Sequence, residues 1–273
     1  MTDQEVLNKT KVQSLFDEYG RRIPKDLQAK VCDANRNFRL GQPKLDEEAD
    51  FISYIMRLHE FIMDVSAMHI TVEQLQLETE RLLTIIRNDS RVANILNGVY
   101  LPVILPQLTT DDLGTALDQY LEGVSKSYVA CFSGQELCSY YQDGLANKVS
   151  IINGSRHNQL IERMKQGLVI GIHFPNPLQG FSINASREQM STLPESFILS
   201  GIDTFIAMAM YPDILACGSN TPFLDMAALF WQPNDYSFNF ENHGSVLGFG
   251  NTIDLAVALN NCSGGLLFLP PSQ

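Results

Sequence analysis

The stretch VSIINGSRHNQLIERMKQGLVIGIHF, residues 149–174, decides how the chain is read. Val149 to Ile152 is a short apolar run, and Asn153-Gly154-Ser155 is turn chemistry that also offers a helix N-cap. Leu160, Ile161 and Met164 recur at helical spacing, Gly167 can end that helix, and Leu168 to Phe174 is a second apolar run. The pattern is strand, helix, strand. If both strands enter one sheet, the unit is a right-handed parallel crossover, and such sheets place ligands beyond the carboxyl ends of their strands. The turns Asn153 to His157 and His173-Phe174-Pro175-Asn176-Pro177 then share an edge. That brings a guanidinium, two imidazoles and an amide toward one helix N-terminus, so Arg156, His157, His173 and Asn176 are the leading candidate catalytic residues.

Toward the N-terminus the texture is helical. Phe51, Ile55, Leu58, Ile62 and Val65 recur at three and four, with Tyr54, Phe61 and Met68 widening the stripe. Thr71 to Gln74 has the form of a capping box, and Leu75, Leu82, Leu83 and Ile86 continue a second helix toward Arg87, so the two are expected to form a hairpin. Asn97-Gly98 with Pro102 and Pro106 makes residues 88–108 a candidate junction. Thr110-Asp111-Asp112 then caps a third helix carrying Leu113, Leu117, Tyr120, Leu121 and Val124. Past residue 145 the runs shorten. Phe197 to Ile202 and Phe205 to Met210 fit strand or helix, Phe223 to Trp231 fits a short helix, and Ser237 to Phe240, Ser245 to Phe249 and Gly265 to Leu269 read as strands. The expected architecture is mixed α/β or α+β: a mainly helical region over residues 1–125, then a sheet-containing region over 126–273.

The 273 residues are 45% hydrophobic and 18% charged, which is enough apolar surface for a sizeable core. The net charge of −12 disfavours nucleic acid and anionic membranes as partners. The acidity is concentrated late: residues 1–95 hold 13 basic and 16 acidic side chains, whereas 96–273 hold 6 and 15. Arg187 is the last basic residue, so the closing third suits a neutral or cationic ligand. The mixed-charge start carries no secretory signal pattern, and Cys32, Cys131, Cys138, Cys217 and Cys262 lack the paired spacing of metal sites. Both point to a cytoplasmic protein with reduced thiols.

Asn242-His243-Gly244-Ser245-Val246-Leu247-Gly248-Phe249-Gly250 resembles the strand around the catalytic histidine of papain-like cysteine proteases. The resemblance covers nine residues. It implies a cysteine nucleophile before the histidine and an Asn or Asp orienting it afterwards, and Cys131, His243 and Asp254 or Asn260 keep that order. Val129-Ala130-Cys131-Phe132-Ser133 departs from the family's Cys-Gly-Ser-Cys-Trp setting. Asp203, Asp213, Asp225, Asp235, His243 and Asp254 match no known metal spacing, and Trp231 with Phe230 and Tyr236 offers an aromatic wall. No cofactor is indicated. Two expectations follow: a cytosolic hydrolase or group-transfer enzyme with its histidines at strand ends, or a non-catalytic protein-binding or regulatory protein that uses its helical hairpin or acidic C-terminal face.

Overall fold

The structure, a computed structural model, describes residues 13–63 and 70–270. Among them are seven α-helices and a nine-stranded mixed sheet, so the mixed α/β class holds. No helix among these residues is long and apolar enough to cross a membrane. Residues 13–47 hold no helix; Gly20 at positive φ, Pro24 and Pro43 keep the segment irregular, and the bridges Phe16 to Arg22 and Val31 to Phe181 fix it to the body. The expected helices begin at α1 (Glu48–Phe61), followed by α2 (Val72–Asn88), whose Thr71 and Gln74 form the reciprocal capping box. Val65 and Met68, expected to widen the first stripe, lie outside the described residues.

Residues 88–108 hold a short 3-10 helix at Ala93–Asn97 and β1 (Leu101–Leu105). Asp112 caps α3 (Leu113–Cys131) by accepting the Thr115 N–H at 2.8 Å. Then come β2 (Glu136–Ser139), β3 (Val149–Ile151), α4 (His157–Gln166), β4 (Val169–Gln179), α5 (Ile183–Gln189), β5 (Phe197–Leu199), α6 (Ile202–Met210), α7 (Pro212–Leu215), β6 (Phe223–Trp231), β7 (Tyr236–Asn242), β8 (Val246–Thr252) and β9 (Cys262–Phe268). The sheet order is β1-β4-β9-β6-β7-β8-β2, with β3 on β6 and β5 on β9. Because β9 and β6 are parallel, while β4 opposes β9 and β3 opposes β6, β3 and β4 run parallel within one sheet. The strand-helix-strand unit is therefore present, but its strands are not neighbours: β3 pairs with β6 and β4 with β9.

Two strand expectations needed correction. The second run does not stop at Phe174: β4 spans eleven residues, Val169–Gln179, and His173 to Pro177 lies inside the strand. Pro175 and Pro177 fit because the register with β9 slips between Phe174 and Leu178, and β1, which begins at Leu101 opposite His173, does not reach them, so no ladder partner needs their missing N–H groups. Phe223 to Trp231 is a strand, although Leu, Met and Ala favour helix. Its Leu224 and Met226 enter one core and Ala227 the other, and burial on both faces outweighs local propensity. Of the two ambiguous runs, Phe197–Leu199 is strand, and Ile202–Met210 is a helix buried on every side.

The sheet divides two hydrophobic cores. On one face α1, α3 and α6 cover Val103, Phe238, Phe240, Phe249 and Leu267; on the other, Phe16, Ile86 and Phe181 meet Phe174, Leu266 and Phe268. Alternate residues of β9 thus serve opposite cores. Helix α3 meets α1 so closely at Gly123 that a Cβ there would overlap the Phe61 carbonyl oxygen. Helix propensity alone favours alanine over glycine by about 1 kcal/mol. Gly123→Ala is nonetheless expected to lower the unfolding free energy, by about 1–3 kcal/mol. Urea denaturation followed by circular dichroism checks this, and a gain in stability would remove the close approach of α1 and α3.

Candidate functional site

Strands β6 and β9 pair only at Phe223 to Asp225 with Cys262 to Gly264, then part. Strand β5 takes the freed edge of β9, and β3 takes that of β6. Ser200 sits where they part: its N–H donates to Gly265 O at 3.1 Å and its carbonyl accepts the Ala228 N–H at 3.2 Å. Residues 199–203 therefore form a turn inside the sheet, and both candidate histidines grip it. His157 Nδ1 donates to Leu199 O at 3.1 Å, and Nε2 accepts the Ile202 N–H at 3.2 Å, which fixes a neutral imidazole protonated at Nδ1. His157 thereby satisfies an open donor at the start of α6. Burial pushes its pKa down, against the opposing influence of the Asp203 charge and the Leu199 carbonyl.

Asp203 gathers the other half. Its Oδ1 accepts the Gly201 N–H at 2.7 Å; its Oδ2 accepts the Ser200 hydroxyl and His173 Nδ1, each at 2.8 Å. Burial alone would raise its pKa, but the hydrogen bond and charge of His173, with the Gly201 N–H, hold it below the usual value. His173 Nε2 is buried without a partner. A carboxylate-oriented imidazole with a free nitrogen is the base and orienter part of a nucleophilic triad. His157 and His173 are only 0% and 1% exposed, so a substrate would reach them only if the start of α6 opened.

The other candidates lie apart from this turn. Arg156, in the left-handed region at φ 63°, spends its guanidinium on the carbonyls of Met190, Leu193, Pro194 and Phe197. Asn176 is half-buried in the bulge of β4. Cys131 closes α3, at the opposite helix end from a thiolate-stabilising N-terminus, and burial raises its pKa above the ordinary thiol value. His243, exposed on the β7–β8 turn, lies 3.2 Å from Glu241 Oε2; Asp254 accepts the Ala256 N–H and Asn260 O accepts the Asn35 N–H. Among the described residues no hydrogen bond joins Cys131 to His243 or Asp254, and no group of three or more His, Cys, Asp or Glu is placed to hold a metal.

The open site is aromatic. A cavity of about 300 Å³ lies between the loop after β2, the β6–β7 hairpin and β8, lined by Tyr140, Tyr141, Lys148, Trp231, Tyr236 and Asn251, with Gln142, Asp143 and Asn234 at its edges. Trp231 and Tyr236 are cross-strand partners flanking the hairpin loop. The Tyr141 ring packs 4.8 Å from Trp231 and 5.3 Å from Phe238. Burial pushes its phenol up to about 12, and its hydroxyl stands near Asn251 without completing a hydrogen bond. Lys148 Nζ donates to Asp143 O and Gly144 O at 3.1 Å each and lies 5.3 Å from the Trp231 ring centre. Trp231 and Tyr236, which the sequence offered with Phe230 either as an aromatic wall or as core and rim packing, both line this cavity, whereas Phe230 is not part of its lining. Tyr140, Tyr141, Lys148 and Asn251 were not foreseen, because the β2–β8 pairing brings the tyrosines to Asn251 and the β3–β6 pairing brings Lys148 to Trp231, and the adjacent tyrosines were the one local signal.

Comparisons with family models, curated proteins and solved structures found no match to this chain.

On the opposite sheet face lies a second buried carboxyl, Asp225, whose Oδ1 accepts the Thr252 hydroxyl at 2.8 Å. Burial, with Glu241 nearby and despite the Thr252 hydrogen bond, raises its pKa to about 7. The two buried carboxyls therefore respond to pH in opposite ways. Asp203, depressed in the fold, contributes stability that is present above its unfolded pKa of about 3.9 and is lost as acid protonates it. Asp225, raised in the fold, imposes a penalty that is absent below about pH 4, grows toward pH 7 and is constant above. Asp225→Asn is expected to raise the melting temperature at pH 8 and leave it unchanged near pH 4, whereas Asp203→Asn should cost about 3 kcal/mol at pH 7 by leaving His173 without its carboxylate. Thermal denaturation across pH 4–8 checks both signs.

Proposed function

We propose that this protein is a non-catalytic binding protein whose ligand is a small, neutral, polyhydroxylated molecule of the sugar class, held in the Trp231 cavity. The observation that carries this reading is the convergence of Trp231, Tyr140, Tyr141 and Tyr236 with the amides of Gln142, Asn234 and Asn251 around one opening. Aromatic faces take the apolar side of a sugar ring, while amides and phenols exchange hydrogen bonds with its hydroxyls. A cationic ligand fits less well, because the Lys148 ammonium already occupies a position by the indole. A strongly anionic ligand would meet Asp143 and a chain of net charge −12. The ordered polar groups and the 300 Å³ volume suit one or two sugar rings.

A hydrolase or group-transfer enzyme is a second reading, favoured by the unpartnered Nε2 of His173 beside Asp203. Its burial requires an opening step before any substrate is met, so the binding reading stands first.

Trp231 is the sole tryptophan of the chain, so its emission reports directly on the cavity. Titration with a panel of neutral mono- and disaccharides is expected to give a saturable change in that emission with at least one sugar. Tyr236→Ala and Asn251→Ala should each weaken the response about tenfold while leaving the melting temperature within a few degrees. A flat emission across the panel, or affinities unaltered in both variants, would remove the sugar site. Hydrolysis of a panel sugar that disappears in His173→Ala would establish the enzyme reading in its place.

A further inference from the structure

A second cavity, remote in sequence from the aromatic one, lies under the N-terminal segment. Residues 13–36 fold back over the end of β4, with the Arg22 N–H donating to Pro177 O at 2.7 Å and the Cys32 N–H to Gly180 O at 2.9 Å. Between this segment and β4 is a space of about 650 Å³ lined by Asp17, Arg21, Arg22, Cys32, Arg36 and Gln179, with Asp33 at its rim. Three arginines thus line one cavity in a chain that carries only 19 basic residues against 31 acidic ones.

Among the described residues none of the three forms an ion pair, whereas Arg57, Arg81, Arg87 and Arg91 each do. Arg22 is the extreme case. It is 3% exposed, its Nη1 donates to Leu15 O and Ile23 O, its Nη2 donates to Thr192 Oγ1 at 2.9 Å, and its Nε has no partner. Burial lowers its pKa to about 10. Neutral oxygens satisfy part of its hydrogen-bonding capacity and none of its charge, and buried charges are ordinarily paired. Arg21 Nη2 reaches Gln179 Oε1 at 3.3 Å, and Arg36 lies over the Tyr19 ring at 4.7 Å with Nη1 3.4 Å from its hydroxyl; neither contact neutralises a charge. Of the two nearby carboxylates, Asp17 is turned to the N–H groups of Tyr19 and Arg21, at 2.9 and 2.8 Å. Asp33 is exposed.

From three arginines that line one cavity and form no ion pair among the described residues, we propose that it binds a small phosphomonoester whose remaining part is neutral or cationic. A phosphate dianion can accept forked hydrogen bonds from more than one guanidinium, whereas a single carboxylate is satisfied by one. The space exceeds what a bare phosphate fills, leaving room for an organic body, and Asp33 at the rim repels any further anionic group. The site is separate from the aromatic cavity, so each stands or falls alone.

Titration calorimetry with inorganic phosphate at constant ionic strength tests the proposal, with acetate as the comparison anion. The expected result is saturable one-to-one binding with Kd no weaker than about 1 mM, weakened about tenfold or more in Arg36→Ala and in Arg21→Ala, with acetate at least tenfold weaker. Arg36 is exposed, so its substitution leaves the fold intact and keeps the test decisive if Arg21→Ala proves unstable. Absence of saturable heat, unchanged affinity in Arg36→Ala, or acetate binding as tightly as phosphate would each overturn the site.

Discussion

The parting of β6 from β9 is the constraint on which the rest of the structure depends. A parallel pair that separates exposes two rows of backbone groups in the middle of a sheet, where no water reaches them. This protein fills the gap with β5, β3 and the turn at Ser200, whose N–H and carbonyl each pair with one of the diverging strands. The turn cannot adopt strand geometry and start α6 at once without polar anchors, and His157, His173 and Asp203 supply them. Gly201 is obligatory, because a Cβ there would meet the His157 ring at under 3 Å. Burial of three titratable side chains is tolerated because nearly every donor and acceptor among them finds a partner.

A second theme is the use of scarce cations. Arg156 ties together four carbonyls between Met190 and Phe197, Arg187 takes Ala227 O, Arg163 takes Pro270 O and Arg57 takes Met210 O. Each of these carbonyls lies where helix or strand pairing fails, so a guanidinium does there what a ladder partner does elsewhere. The N-terminal cavity differs because its arginines line a space.

Much of the architecture was legible in the sequence, and the failures have physical causes. The heptad-like spacing of Phe51, Ile55 and Leu58, the Thr71 capping box and the strand-helix-strand pattern of residues 149–174 all act over a few residues, and local periodicity reports them. The extension of β4 through Pro175 and Pro177 depends on a slipped register with β9, nearly ninety residues away, and no local rule encodes it. The strand at Phe223 to Trp231 follows from burial on both faces, which a run of Leu, Met and Ala cannot announce. Sequence reasoning placed His157 and His173 near one another through the crossover. It offered Asp203 only as a possible helper beside His243, since nothing near residue 203 marks a carboxylate that will be buried in the first turn of α6 and bonded to His173. Trp231 and Tyr236 stood out by residue type, while Tyr140, Lys148 and Asn251 join them only through long-range pairing.

The position of β9 carries a consequence for biosynthesis. Cys262–Phe268 follows every other strand in the chain, yet it lies between β4 and β6 and touches β5 as well. A nascent chain emerging from the ribosome can form its helical hairpin and the β6–β7–β8 meander early, but β4 and β6 have nothing to join them until residue 268 has left the exit tunnel. Closure of the sheet therefore waits for β9. Until β9 arrives, the edges of β4 and β6 that it will cover are unpaired, and unpaired apolar edges of that kind invite aggregation.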